Sequence, residues 1–184
     1  MINLLYRLFL TLNSTFLLVV IYLIKSEITI EIPVPWVHVS PFYSYLGYIS
    51  FPIILTIISI LLIKYLDSDS IEISNGNSPI KFIEQANNQF LPSYLGYFFI
   101  ALSIPNSGTL VLSYLIIFIF TFFSQALYYN PIFLLFGFNF YHVTTVNEIK
   151  VFILTKQTLK DPKETEFKSL KRINNFTFID TFKL

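Results

Sequence analysis

The chain contains no cysteine and only two histidines, His38 and His142. The first absence excludes disulfides, thiolate nucleophiles and cysteine-based zinc sites; the second excludes a histidine-rich metal centre. Charge is also scarce: Asp, Glu, Lys and Arg make up 12% of the 184 residues, against about 25% in ordinary soluble domains. A formal net charge of +1 gives no general attraction to nucleic acid, so no direct nucleic-acid binding is expected. There is no Gly-x-Ser-x-Gly, phosphate-binding loop, dinucleotide glycine motif or His-Glu-x-x-His, so neither an enzyme nor a cofactor is expected. Asp67 and Asp69 stand two apart with no histidine nearby and read as a solvated loop.

What the chain has is apolar side chains, 54% of the total, with a mean hydropathy of +0.65. A water-facing surface cannot be made from that composition, so part of it is expected to face lipid. A charge at mid-bilayer costs roughly 3 kcal/mol, so uncharged runs mark the spans. The runs around Leu8 to Ile24 and Phe42 to Ile63 supply two. From Gln85 to Asn147 no charged residue occurs over 63 positions; as one helix that would measure about 95 Å, three times a bilayer core of about 30 Å. Pro92, the turn signal Pro105-Asn106-Ser107-Gly108, and Asn130-Pro131 divide it. The expected fold is an α-helical polytopic membrane protein with four transmembrane helices, at about 4–24, 42–63, 90–104 and 109–129, followed by a small cytoplasmic β-rich C-terminal module at 137–184. The third span is the shortest, and a re-entrant segment is its alternative. No small-residue cleavage pair precedes Lys25, so the first span reads as an uncleaved anchor.

Eight of the twelve basic residues follow Gly137, which places the tail in the cytoplasm. With an even number of spans the N-terminus is inside too, the loop at 26–41 outside and the loop at 64–89 inside. The outer loop alternates from Glu27 to Val39 and is broken by Pro33 and Pro35, the pattern of an edge strand. Its Trp36 and His38 are the candidate external sensing residues. In the inner loop, Asn75-Gly76-Asn77 between alternating runs is a hairpin signal. The tail shows three strand-like stretches, Phe138 to Thr145, Ile149 to Thr155 and Arg172 to Phe182. It is too small to hold much core alone, and is expected to lean on the inner hairpin, a second subunit or another protein.

Ser-Tyr-Leu-Gly-Tyr occurs twice, at Ser44 to Tyr48 and Ser93 to Tyr97. Gly47 and Gly96 are thereby candidates for close helix packing, though Tyr and Gly are common at these places in membrane helices. Thr109, Ser113, Thr121, Gln125 and Tyr128 fall along one face of the fourth span. Such a stripe joins helices by hydrogen bonds, the commoner use, or lines a wet path. The sequons Asn13-Ser14-Thr15 and Asn175-Phe176-Thr177 read as accidental. Lys150, Lys168, Lys171 and Arg172 are the candidates for docking a partner; the last three could also meet anionic lipid headgroups or nucleic acid, and proximity favours the lipid surface.

The few short spans, the stretch Asn130-Pro131-Ile132-Phe133-Leu134-Leu135-Phe136-Gly137-Phe138-Asn139-Phe140-Tyr141-His142-Val143-Thr144-Thr145, and the lysine-flanked strand Ile149-Lys150-Val151-Phe152-Ile153-Leu154-Thr155-Lys156 resemble the KwaA family, membrane subunits of the Kiwa anti-phage system. The resemblance implies an inner-membrane homo-oligomer, expected as a tetramer. It further implies detection of infection at the envelope and work with KwaB, a cytoplasmic DNA-binding effector. It transfers no catalytic residue. A sensor and scaffold is thus the first expectation and a small oligomeric pore or transporter subunit the second. An intramembrane enzyme, lacking paired carboxylates or a His/Cys set, is the least supported.

Overall fold

A computed structural model describes residues 2–30, 40–71, 78–124 and 130–182. It divides into two units. One is helical, made of Phe9–Ile58 and Phe90–Tyr129; the other is built on a sheet and comprises Met1–Leu8, Ser59–Gln89 and Asn130–Leu184.

Helices α1 (Ile2–Lys25), α2 (Pro41–Leu62), α3 (Leu91–Ser103) and α4 (Ser107–Ser124) follow the uncharged runs. Among the described residues, three segments, Ile2–Lys25, Pro41–Tyr65 and Ser107–Ser124, are long and apolar enough to cross a membrane. The 13 residues of α3 make about 20 Å of helix, less than the bilayer core. Chain punctuation sets the breaks: Pro92 occupies the first turn of α3, and the Asn106 carboxamide oxygen accepts the Thr109 N–H at 3.0 Å, capping α4. At the end of α1, Ile28 N–H reaches Leu23 O and Glu27 N–H reaches Ile24 O, both at 3.1 Å. This paired closure needs a left-handed residue, and Glu27 fills the place at φ 54°. No strand forms over Glu27 to Ile30, and the remainder of that expected strand, with Trp36 and His38, lies outside the described residues.

Among its described residues the sheet unit holds six strands, β1 (Ser68–Ile71), β2 (Ile80–Gln85), β3 (Asn139–Thr145), β4 (Lys150–Thr155), β5 (Phe167–Asn174) and β6 (Thr177–Asp180), plus the short helix α5 (Ile132–Leu135). Their order is β1-β5-β6-β4-β3-β2, antiparallel except for the β4–β6 pair. The inner loop therefore contributes both edge strands and the tail the four between them. Of the expected inner hairpin, the arm Ile80–Gln85 is strand β2, paired with β3 and on the opposite edge from β1, while residues 72–77, with the Asn75-Gly76-Asn77 turn, lie outside the described residues. The expected third tail strand is in fact two, since Asn175-Phe176 turns between β5 and β6.

Alternation sorts the sheet into two faces. Tyr141, Val143, Val151, Ile153, Leu170 and Phe178 form the core of one, with Leu159 packed against it. Leu159 N–H donates to the Tyr141 hydroxyl at 3.3 Å, which fastens the β4–β5 connection over that face. On the other face, Phe140, Leu154 and Ile179 are buried, and Phe140 stacks on Phe152.

Candidate functional site

In the helical unit the polar residues gather on α1. Thr11, Asn13, Ser14 and Thr15 are all buried, although lipid favours apolar side chains, so each needs an internal partner. Asn13 Nδ2 donates to Thr56 Oγ1 at 2.9 Å, and Thr56 in turn donates to Pro52 O at 2.9 Å, beside the proline that interrupts the hydrogen-bond ladder of α2. Tyr94 on α3 donates to Ser14 O at 3.1 Å, and Thr15 on α1 lies 3.3 Å from the Tyr114 hydroxyl on α4. A single polar run thus binds α1 to all three other helices. Sequence reading missed this cluster, although Thr-Leu-Asn-Ser-Thr inside an apolar span was the signal for it.

The expected packing residues are placed differently. Thr109, Ser113 and Thr121 lie on the half-buried face of α4, while Val111, Leu112, Leu115, Ile119, Phe120 and Phe123 face outward. The polar stripe is therefore turned toward its own chain, and Gln125 lies outside the described residues. A Cβ at Gly47 would meet Ile30 Cδ1 at an ordinary 3.7 Å, and one at Gly96 would meet nothing within 4 Å. Close approach within the chain requires neither glycine. The two Ser-Tyr-Leu-Gly-Tyr copies also differ in use: Ser44 Oγ accepts the Ile30 N–H at 3.0 Å and is buried, whereas Ser93 is exposed.

The four candidate docking cations all lie on the sheet, divided between its faces because a strand alternates. Lys150 and Lys171 stand on one face, Lys168 and Arg172 on the other. Lys150 reaches Glu84 at 3.4 Å and Lys168 reaches Glu166 at 2.7 Å. Lys171 Nζ donates to Leu66 O and Ser68 Oγ, both at 2.9 Å. Arg172 pairs with Asp69 at 2.6 Å, and this guanidinium, its hydrogen bond first, holds the Asp69 carboxyl below its usual value. Lys171 and Arg172 therefore fasten edge strand β1 to β5, one from each face. Lys150 and Lys168 remain more than half exposed with exposed or half-buried partners.

At the other edge, His142 on β3 sits between Glu84 and Lys150, 2.9 Å from Gln89 Oε1 and against the Phe152 ring. Burial, then Lys150, lowers its pKa, with Glu84 opposing. Phe82, on the adjacent β2, is 61% exposed.

A family model described as anti-phage protein KwaA matches residues 6–179. The chain belongs to the KwaA family. The matched stretch runs from α1 into β6, so the helices, both inner-loop strands and the tail strands all lie within it. Membership gives the protein a role in anti-phage defence. No curated protein matches the chain, and no solved structure does.

Proposed function

We propose that the protein is the membrane-embedded sensor and scaffold of an anti-phage complex, crossing the bacterial inner membrane four times with both termini in the cytoplasm. It acts without catalysis. Copies assemble into a homo-oligomer, a tetramer by family resemblance, through the outward apolar faces of the helices, and the sheet unit recruits a cytoplasmic DNA-binding effector resembling KwaB. α3 completes the even span count through the flanking Phe90 and Ile104, with its polar ends at the bilayer boundary.

One observation carries the reading: the chain joins spanning-length apolar helices to a six-stranded sheet in which, among the described residues, edge strand β2 has no partner on its outer side and Phe82 is exposed. Such an edge with exposed charges beside it is a surface on which a partner chain gains backbone pairing and electrostatic register. The tail at 137–184, with eight basic against five acidic residues, favours an acidic partner face.

Co-purification from nanodiscs of the effector encoded beside this gene tests the reading. Because Lys171 and Arg172 also hold β1, and Lys168 stands on β5 beside the opposite edge, the probes at the β2 edge are Lys81→Glu and Lys150→Glu. Together they should weaken effector capture, more so at low salt. Equal capture by wild type and the double variant would remove these lysines from docking, and ion flux through protein-containing vesicles would favour the pore reading.

A further inference from the structure

Where the Pro41–Tyr65 apolar run ends, the sheet unit contains an open groove of about 450 Å³. Ile60, Leu61 and Ile63 make one wall in hydrocarbon, while Lys64, Lys171 and Thr181 supply two ammonium groups and a hydroxyl. No carboxylate is among the described residues lining it. Leu61 is 63% exposed, a poor state for a leucine against water and an ordinary one against an acyl chain. Lys171 is fixed at the groove by its bonds to Leu66 O and Ser68 Oγ, which leave an ammonium hydrogen for a further acceptor. Lys64 lies over the Tyr65 ring, 5.0 Å from its centroid. Of the carboxylates in the adjoining segment, Asp69 is paired with Arg172, while Asp67 accepts from the neutral Asn3 amide at 2.8 Å and keeps its charge outside the groove lining.

We propose that this groove binds one anionic phospholipid, its phosphate held by Lys64 and Lys171 and an acyl chain laid along Ile60 and Leu61. Free phosphate would satisfy the cations but leave the apolar wall against water, which favours the lipid as occupant. The proposal rests on the membrane reading above. It gives the sheet unit a lipid-dependent anchor at the point where the chain leaves α2.

Full-length protein in nanodiscs of phosphatidylcholine with or without phosphatidylglycerol, released and examined by native mass spectrometry, reads the lipid retained per chain. Lys64→Gln touches no sheet hydrogen bond and should lower retained phosphatidylglycerol on the order of tenfold; Lys64→Gln with Lys171→Gln should lower it further. Lys64→Arg with Lys171→Arg should retain it, Leu61→Asn should weaken it, and Lys150→Gln should leave it unchanged. Retention by both Gln variants equal to wild type overturns the proposal. So does inorganic phosphate displacing the lipid regardless of residue 61, which would make the site one for free anions. A chain recovered in the soluble fraction overturns the membrane reading as well, whereas an inserted chain that retains no lipid overturns the groove alone.

Discussion

The Arg172 guanidinium stands 2.6 Å from the Asp69 carboxylate, joining residues 103 positions apart. The pair fastens an edge strand from the inner loop to a strand from the tail. Arg172→Gln should lower stability by about 0.2 to 1 kcal/mol, the range for a partly exposed ion pair. Because the folded carboxyl is held below its usual 3.8, the contribution is complete above that value and lost as pH falls through the folded one. Denaturant titrations should therefore separate the two proteins at neutral pH and bring them together in acid.

His142 carries a proton linkage of the same sign in a higher pH range. Its folded pKa lies below 6.5, so the unfolded chain takes up the proton first and stability falls as pH drops from above 6.5 toward the folded value. Thermal melts of the full-length protein over mildly acidic pH should show this slope. His142→Gln should flatten it, and an unchanged slope would assign it to another group.

Glu27 holds a left-handed position at φ 54°, costly for a residue with a Cβ. Glu27→Gly should stabilise by about 0.5 to 1 kcal/mol and Glu27→Val should destabilise, as measured by thermal unfolding in detergent.

Asn13 is 2% exposed, and its Oδ1 has no hydrogen-bond partner among the described residues. Asn13→Leu removes that acceptor and leaves Thr56 its bond to Pro52 O. Stability should change by less than about 1 kcal/mol, because a lost hydrogen bond offsets a relieved one. A loss well beyond this, read from detergent unfolding, would mean that Oδ1 is satisfied in the membrane.

Reporter fusions near Val37, near Gly76 and at Leu184 test the topology. Four spans require an external signal at Val37 and cytoplasmic signals at the other two. A cytoplasmic Val37 together with an external Gly76 would exclude that arrangement.

The long helices were legible because charge is excluded from lipid, so uncharged runs outlined them directly. Gly137 at φ 80° also sits where the sequence placed the start of the tail. Pairing partners were harder to read. Asn75-Gly76-Asn77 is a local hairpin signal, but β2 instead gains Tyr141 to Thr145 as partners while Ile80 and Ile83 join the core face. Lys168, Lys171 and Arg172 form a cluster when written in line, but a strand separates positions 171 and 172 onto opposite faces. The polar run on α1 was visible as letters, yet only helix neighbours that are far away in sequence show what it binds.

The strand order has a consequence for synthesis. β1 and β2 leave the ribosome first and become the outermost strands, while their neighbours β5 and β3 are made later and the central pair β4 and β6 closes only after Thr177. The 92 residues between Gln85 and Thr177 take roughly 5 to 20 s to translate. A nascent chain stalled before β6 can already form the β2–β3–β4 and β1–β5 pairs, but it exposes the β4 and β5 edges that β6 joins in the finished form.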